Sequence, residues 1–397
     1  MISLLLAIIY LSFISLGLPD ALLGSAWPII YPEMGVPVSY SGIIFMIISI
    51  GTVCSSLQSD RLTKKLGAGK VTAISVAMTA IALFGFSCSH SFPALCLWAI
   101  PYGLGAGGVD AALNNYVALH FASRHMSWLH CMWGVGASVG PYIMSAAITR
   151  TASWNNGYRV IGIMQVVLSV IIFISLPLWK KKDNENCEAS DTDHAQAKAL
   201  SLKEVIRIKG AKEIMLAFFC YCALEQTVGL WASSYLVLYR GIPEVTATGF
   251  ASLFFIGITV GRAVNGFLTI KFSDTQLIYL GQAIIAVGIV LLMLPFSDIV
   301  SLIGFVAIGV GCAPIYPCII HSTPVHFGRE NSQAMVGVQM ASAYIGTSIM
   351  PPLFGLLAKG IGIYLLPIYV LAILIVQFVM YTRVRKIAGA IDNSDTP

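Results

Sequence analysis

The chain has 397 residues, of which 57% are hydrophobic and only 10% charged, and its 23 lysines and arginines exceed its 18 acids for a net charge of +5. So few charges cannot cover a soluble protein of this size, and a mild basic excess that membrane topology accounts for gives no case for nucleic-acid binding. Nine cysteines without a C-x-x-C motif read as small apolar packing residues, not as a disulfide or metal framework.

Crossing a hydrocarbon core of about 30 Å takes roughly 20 helical residues. Twelve apolar stretches meet that length, at approximately 4–31, 38–57, 71–89, 93–119, 129–149, 158–179, 212–239, 245–269, 276–295, 299–325, 331–357 and 361–382. The first has no basic flank before it and is read as a membrane helix, not a removed leader. The long polar stretch 180–211 opens on Lys180-Lys181-Lys182 and continues through Glu185, Glu188, Asp191 and Asp193, with an amphipathic segment around 200–208. It divides the chain into a six-helix bundle over 1–179, a cytoplasmic linker over 180–211, a second six-helix bundle over 212–383 and a cytoplasmic tail over 384–397.

The two halves repeat at one fixed offset of 206 residues: Gly35-Val36-Pro37 recurs as Gly241-Ile242-Pro243, Gly51 as Gly257, Gly103 and Gly105 as Gly309 and Gly311, and His120-Phe121 as His326-Phe327. One register held without insertion across such a span is the pattern of a duplicated secondary transporter. With the amino terminus inside, eighteen basic residues fall on cytoplasmic segments and four on the outer side, namely Arg150, Arg159, Arg240 and Lys359. That asymmetry predicts both termini in the cytoplasm. Helices interrupted by Gly and Pro, the first, fourth, fifth, seventh, tenth and eleventh, are expected to bend and line a cavity.

Three carboxylates lie well inside apolar stretches, away from their ends: Asp20, Asp110 and Glu225. A charge there costs on the order of 2.5–3.5 kcal/mol, and Arg262, the one Lys or Arg away from the ends of the stretches, is placed towards a cytoplasmic helix end, apart from them. Acids in low dielectric without a cation suit proton carriage; the same residues ionised would suit sodium. Asp110 and Asn114 share a helical face, His130 and Trp133 are three apart, and Asp20 and Trp27 are seven apart. Gln226, Trp231, Asn265, Gln282, His321 and Gln339 extend the polar and aromatic set. Carboxylates and amides beside aromatic platforms suit a sugar, which has polar edges and apolar C–H faces; each such residue could equally be an interhelical hydrogen bond. Asp60, in a basic cluster with Arg61, Lys64 and Lys65, is expected to act as a cytoplasmic gate by pairing with Arg124 or by capping a helix near 331.

Gln58-Ser59-Asp60-Arg61 with Lys64-Lys65, Gly67 and Lys70 resembles the loop between helices 2 and 3 of the major facilitator superfamily, without that pattern's leading Gly and with extra residues before Gly67. Gly103 to Asp110 followed by Ala112 and Asn114 is similar to helix 4 of the fucose permease-like symporters, where an acid occupies the Asp110 position. Leu129-His130, Trp133-Gly134 and Gly140-Pro141 resemble helix 5 of that group, and Tyr221, Glu225, Gly229, Trp231 and Tyr235 its helix 7. The resemblance implies an all-α integral membrane fold of twelve helices in two pseudo-symmetric six-helix bundles around a central cavity, working by alternating access. Proton-coupled symport of a hexose or deoxyhexose is the expected function. Asp20, Asp110 and Glu225 would serve coupling; Trp27, Asn114, His130, Trp133, Glu225, Gln226, Trp231, Asn265, Gln282, His321 and Gln339 would serve binding. The alternatives are an antiporter exporting sugars or drugs and a non-transporting sugar sensor. No H-E-x-x-H, Gly-x-Ser-x-Gly or phosphate-loop motif supports an enzyme. The expected partners are a sugar, H+ or Na+, and the bilayer of the cell membrane, with no cofactor, metal or nucleic acid, in a monomer.

Overall fold

The computed structural model describes residues 2–20, 22–37, 40–188, 200–294 and 297–392. Fifteen α-helices follow one another among these residues: α1 Ile2–Asp20, α2 Leu22–Glu33, α3 Ser41–Leu66, α4 Ala68–Ser87, α5 Phe92–His120, α6 Ser123–Thr151, α7 Trp154–Glu188, α8 Leu202–Arg207, α9 Ala211–Leu238, α10 Glu244–Leu268, α11 Asp274–Met293, α12 Asp298–His321, α13 Thr323–Phe327, α14 Arg329–Gly360 and α15 Leu366–Asp392. Helices dominate because hydrocarbon offers backbone N–H and C=O groups no partner, so each segment must satisfy its own. Eleven spans are long and apolar enough to cross a membrane, the first running through α1 and α2 over Leu4–Glu33, and α10 adds the shorter apolar stretch Leu253–Leu268. Each of the twelve expected stretches therefore has its helix.

Boundaries depart from the sequence expectation where polar residues extend a helix beyond its apolar part. The stretch expected to end near 57 continues as α3 to Leu66, so the polar segment with Asp60 is helical, carried by the i,i+4 pair Asp60–Lys64. It stops at Gly67, whose φ of +83° disfavours any residue with a Cβ and whose N–H donates to Thr63 O at 2.8 Å. The amphipathic segment expected around 200–208 appears as α8, opened by a reciprocal capping box between Ser201 and Glu204.

The chain folds into two units. The first holds Met1–His120 and Leu129–Leu200; the second holds Phe121–Trp128 and Ser201–Pro397. The short segment 121–128 thus packs with the second unit, where the sequence placed it in the first half.

The 206-residue repeat is also a repeat of contacts. In the first unit, a Cβ on Gly103 would collide with the Ile48 carbonyl of α3, and one on Gly105 would lie 2.7 Å from the Ser75 carbonyl of α4. In the second unit, a Cβ on Gly309 would collide with the Phe254 carbonyl of α10, and one on Gly311 would lie 2.6 Å from the Gly281 carbonyl of α11. All four pairs are related by the same offset. Helix α5 against α3 and α4, and helix α12 against α10 and α11, are therefore the same backbone-to-backbone packing built twice, at a closeness only glycine allows.

Candidate functional site

In the first unit, α1 and α6 cross where side chains are smallest. A Cβ on Gly17 would strike the Trp133 carbonyl, and one on Gly136 the Ile14 carbonyl. This crossing brings the Trp133 indole to the end of α1, where its Nε1–H donates to Asp20 Oδ2 at 2.8 Å. The Tyr102 hydroxyl of α5 donates to Asp20 Oδ1 at 3.2 Å. Asp20 keeps an exposed side chain while both its oxygens accept a hydrogen bond from a neutral group.

Deeper in the same unit, Asp110, Asn114 and His130 form a chain. Asn114 Nδ2 donates to Asp110 Oδ1 at 2.7 Å and to the Asp110 carbonyl at 3.0 Å. His130 Nε2 lies 3.0 Å from Asn114 Oδ1. An amide oxygen can only accept, so this contact assigns a proton to Nε2. Phe13 holds the imidazole edge-on at 5.3 Å. All three polar residues are buried, Asp110 at 4% exposure. The amide cannot itself carry a proton at neutral pH; it fixes the imidazole and the carboxyl in one geometry.

The second unit has its own polar centre, and here the sequence expectation is corrected. Arg262 does not lie apart from the acids: its Nη2 sits 3.4 Å from both oxygens of Glu225, with the arginine side chain only 4% exposed and the glutamate 21%. Tyr221 donates to Glu225 one turn along α9, and its hydroxyl also lies 2.9 Å from the Cys312 carbonyl of α12. A buried guanidinium needs a compensating anion, and Glu225 supplies it. The carboxylate is thereby engaged in an ion pair, unlike Asp20 and Asp110, whose partners above are neutral.

Known proteins resemble this chain along most of its length. The family model described as Major Facilitator Superfamily matches residues 9–252 and 214–393. The chain belongs to the major facilitator superfamily. It is accordingly a membrane transporter and not an enzyme. Among its curated relatives, Bypass of stop codon protein 6 of Saccharomyces cerevisiae is 22% identical over 94% of this chain and 81% of its own length. A glucose/galactose transporter of Brucella abortus is 24% identical over 78% of this chain and 77% of its own. The crystal structure of the superfamily transporter FucP in the outward conformation superposes with a TM-score of 0.78 at 15% identity, covering 95% of this chain and 98% of that one. At that identity the likeness speaks to the fold.

Several residues expected to meet substrate in this superfamily member make contacts within the protein. Trp27 is buried in the apolar core of the first unit beside Tyr31. Trp231 donates its indole N–H to the Pro351 carbonyl at 3.0 Å and packs edge-on against Phe354 at 5.5 Å. Asn265, buried, donates to Ser127 Oγ at 2.8 Å. His321 lies at the end of α12 with Nδ1 2.6 Å from Asp274 Oδ2 and Nε2 3.2 Å from the Phe121 carbonyl, so it ties helix ends together. Ser123 also donates to Asp274, and Trp128 Nε1 to the Ala263 carbonyl at 3.3 Å, which is why 121–128 belongs with the second unit. Gln339 accepts from Thr323 at 3.1 Å. Gln282 is buried with neither amide atom hydrogen-bonded, and Gln226 is exposed.

Asp60, expected at a gate, is engaged within its own unit: it pairs with Lys64 at 3.1 Å and accepts from the Leu200 backbone N–H at 3.0 Å. Arg61 is exposed, and Arg124 lies beside His125 at 3.4 Å. The sequence reading also missed Tyr102 as a partner of Asp20. The available signal was its spacing of eight from Asp110 on one helix, which keeps the two within a shared face.

Proposed function

We propose that the chain is a proton-coupled symporter of a monosaccharide, a hexose or deoxyhexose, operating by alternating access with both termini in the cytoplasm. The observation that carries this reading is the buried Asp110–Asn114–His130 chain: a carboxyl held by a neutral amide in low dielectric can gain and lose a proton with little rearrangement of its neighbours. Asp20 is the more accessible acid and would exchange protons with the outside of the unit, under the indole of Trp133 and the hydroxyl of Tyr102. Trp133 offers both a donor and an apolar face, the two things a pyranose ring meets on binding. Glu225, held by Arg262 and Tyr221, fits a hydrogen-bonding role towards sugar hydroxyls better than a proton-carrying one. The name of the Brucella relative, a glucose/galactose transporter, supports a hexose.

The test is uptake of a radiolabelled monosaccharide panel into proteoliposomes with imposed pH or sodium gradients. Concentrative uptake of one hexose driven by an inward pH gradient is the expected result. Sodium-driven uptake would reassign the ion, and efflux driven by an inward proton gradient would make the protein an antiporter.

A further inference from the structure

The linker re-enters the second unit through a small basic cleft. Helix α8 carries Lys203 and Arg207, the turn after it carries Lys209, and the first turn of α9 carries Lys212; all four are exposed. With Ile206, Ile208, Gly210, Glu213 and Ile387 they line a cleft of about 690 Å³. That is within the range of roughly 300–1,000 Å³ that small-molecule sites occupy. Among the described residues none of the four cations has a carboxylate within ion-pair distance. The single acid in the lining, Glu213, leaves a net charge of three positives. Gly210 adopts φ +85°, and α9 begins after it with no side-chain cap, so the positive end of a 28-residue helix opens beside the cluster.

Position decides what such a cleft meets. The membrane-spanning stretches Ala211–Leu238 and Ile363–Ala388 both have an end at this point, so the cations stand at the level where a bilayer places its phosphates. Three isoleucines among the lining residues, Ile206, Ile208 and Ile387, give the cleft an apolar part. We propose that the cleft is a binding site for the phosphate headgroup of an anionic phospholipid of the adjoining leaflet, anchoring the linker's end to the membrane. Lys203, Arg207, Lys209 and Lys212 surround the phosphate, and Ile206, Ile208 and Ile387 contact the glycerol and upper acyl chain. Nothing in this site depends on which substrate the protein carries.

The test uses the full chain purified in neutral detergent and titrated with short-chain phosphatidylglycerol or phosphatidylcholine, with bound lipid counted by native mass spectrometry. Phosphatidylglycerol should bind at least about tenfold more tightly. Each of Lys203→Gln, Arg207→Gln, Lys209→Gln and Lys212→Gln should weaken it by about fivefold, the usual worth of one basic group near an anionic headgroup. The paired control Lys65→Gln/Lys271→Gln, two exposed cations outside the cleft, should leave binding unchanged. Equal loss in the control, or undiminished binding when all four cations are replaced, would overturn the site. Should the fourfold variant fail to fold, the single variants decide. Displacement of phosphatidylglycerol from the unmodified chain by millimolar inorganic phosphate would overturn the lipid as its occupant and assign a soluble anion.

Discussion

Replacing Asp110 by asparagine separates the two things its carboxyl can do. Asn114 Nδ2 donates to Asp110 Oδ1 at 2.7 Å, and an amide at position 110 still offers an oxygen there. The change exchanges a hydrogen bond to a charged group, worth about 1.5–3 kcal/mol, for a neutral one worth about 0.5–1.5. It also removes the cost of burying a carboxylate, so folding stability should move by no more than about 1 kcal/mol. Proton carriage, by contrast, is lost outright. With one proton per sugar, a gradient of one pH unit supports about tenfold accumulation; adding 100 mV, about 2.3 kcal/mol per charge, raises the limit to roughly 500-fold. Asp110→Asn should therefore bring the steady-state sugar ratio in proteoliposomes to about one, while exchange of labelled for unlabelled sugar continues. Accumulation by this variant at the unmodified level would remove Asp110 from the coupling step.

The two tryptophans should part company. Trp133→Ala should weaken sugar binding by about 1–3 kcal/mol, whereas Trp231→Ala, which loses its contact with Phe354 and its bond to Pro351, should lower stability by about 3 kcal/mol with affinity unchanged; calorimetric titration and thermal unfolding read each. Arg262→Gln strands Glu225 without its guanidinium and should cost about 3 kcal/mol, part of it recovered in the double variant with Glu225→Gln; a neutral single variant in thermal unfolding would refute the pair's importance. Asp60→Asn weakens the acceptor that holds the Leu200 N–H and the Lys64 ion pair, together about 1 kcal/mol. Amide exchange at Leu200 should then quicken about fivefold, and exchange as slow as before would show that the linker end is held by other contacts.

The membrane class, the helix number and the duplication were readable in the sequence because each rests on a one-dimensional pattern: apolar composition, apolar length and a fixed offset. The Asp110–Asn114 pair was readable for the same reason, being one turn apart on a helix. Contacts between helices were not. Glu225 and Arg262 lie 37 residues apart on α9 and α10, and no periodicity links them; the clue was chemical, a membrane-buried arginine that must find an anion. The contacts of Trp27 and Trp231 were not readable because helical spacing gives a residue's face and not what faces it. The bond from the Leu200 N–H to Asp60 was not readable because the donor is a backbone group that carries no sequence signature.

The doubled glycine crossing gives the molecule an internal control. Gly103 against Ile48 and Gly309 against Phe254 present the same steric problem, backbone on backbone, where no rotamer change could relieve an added methyl. Alanine at either position therefore imposes the same mechanical insult on a different half of the chain. Any difference between the two in transport, once expression and stability are matched, measures how differently the halves have come to work since they were copies.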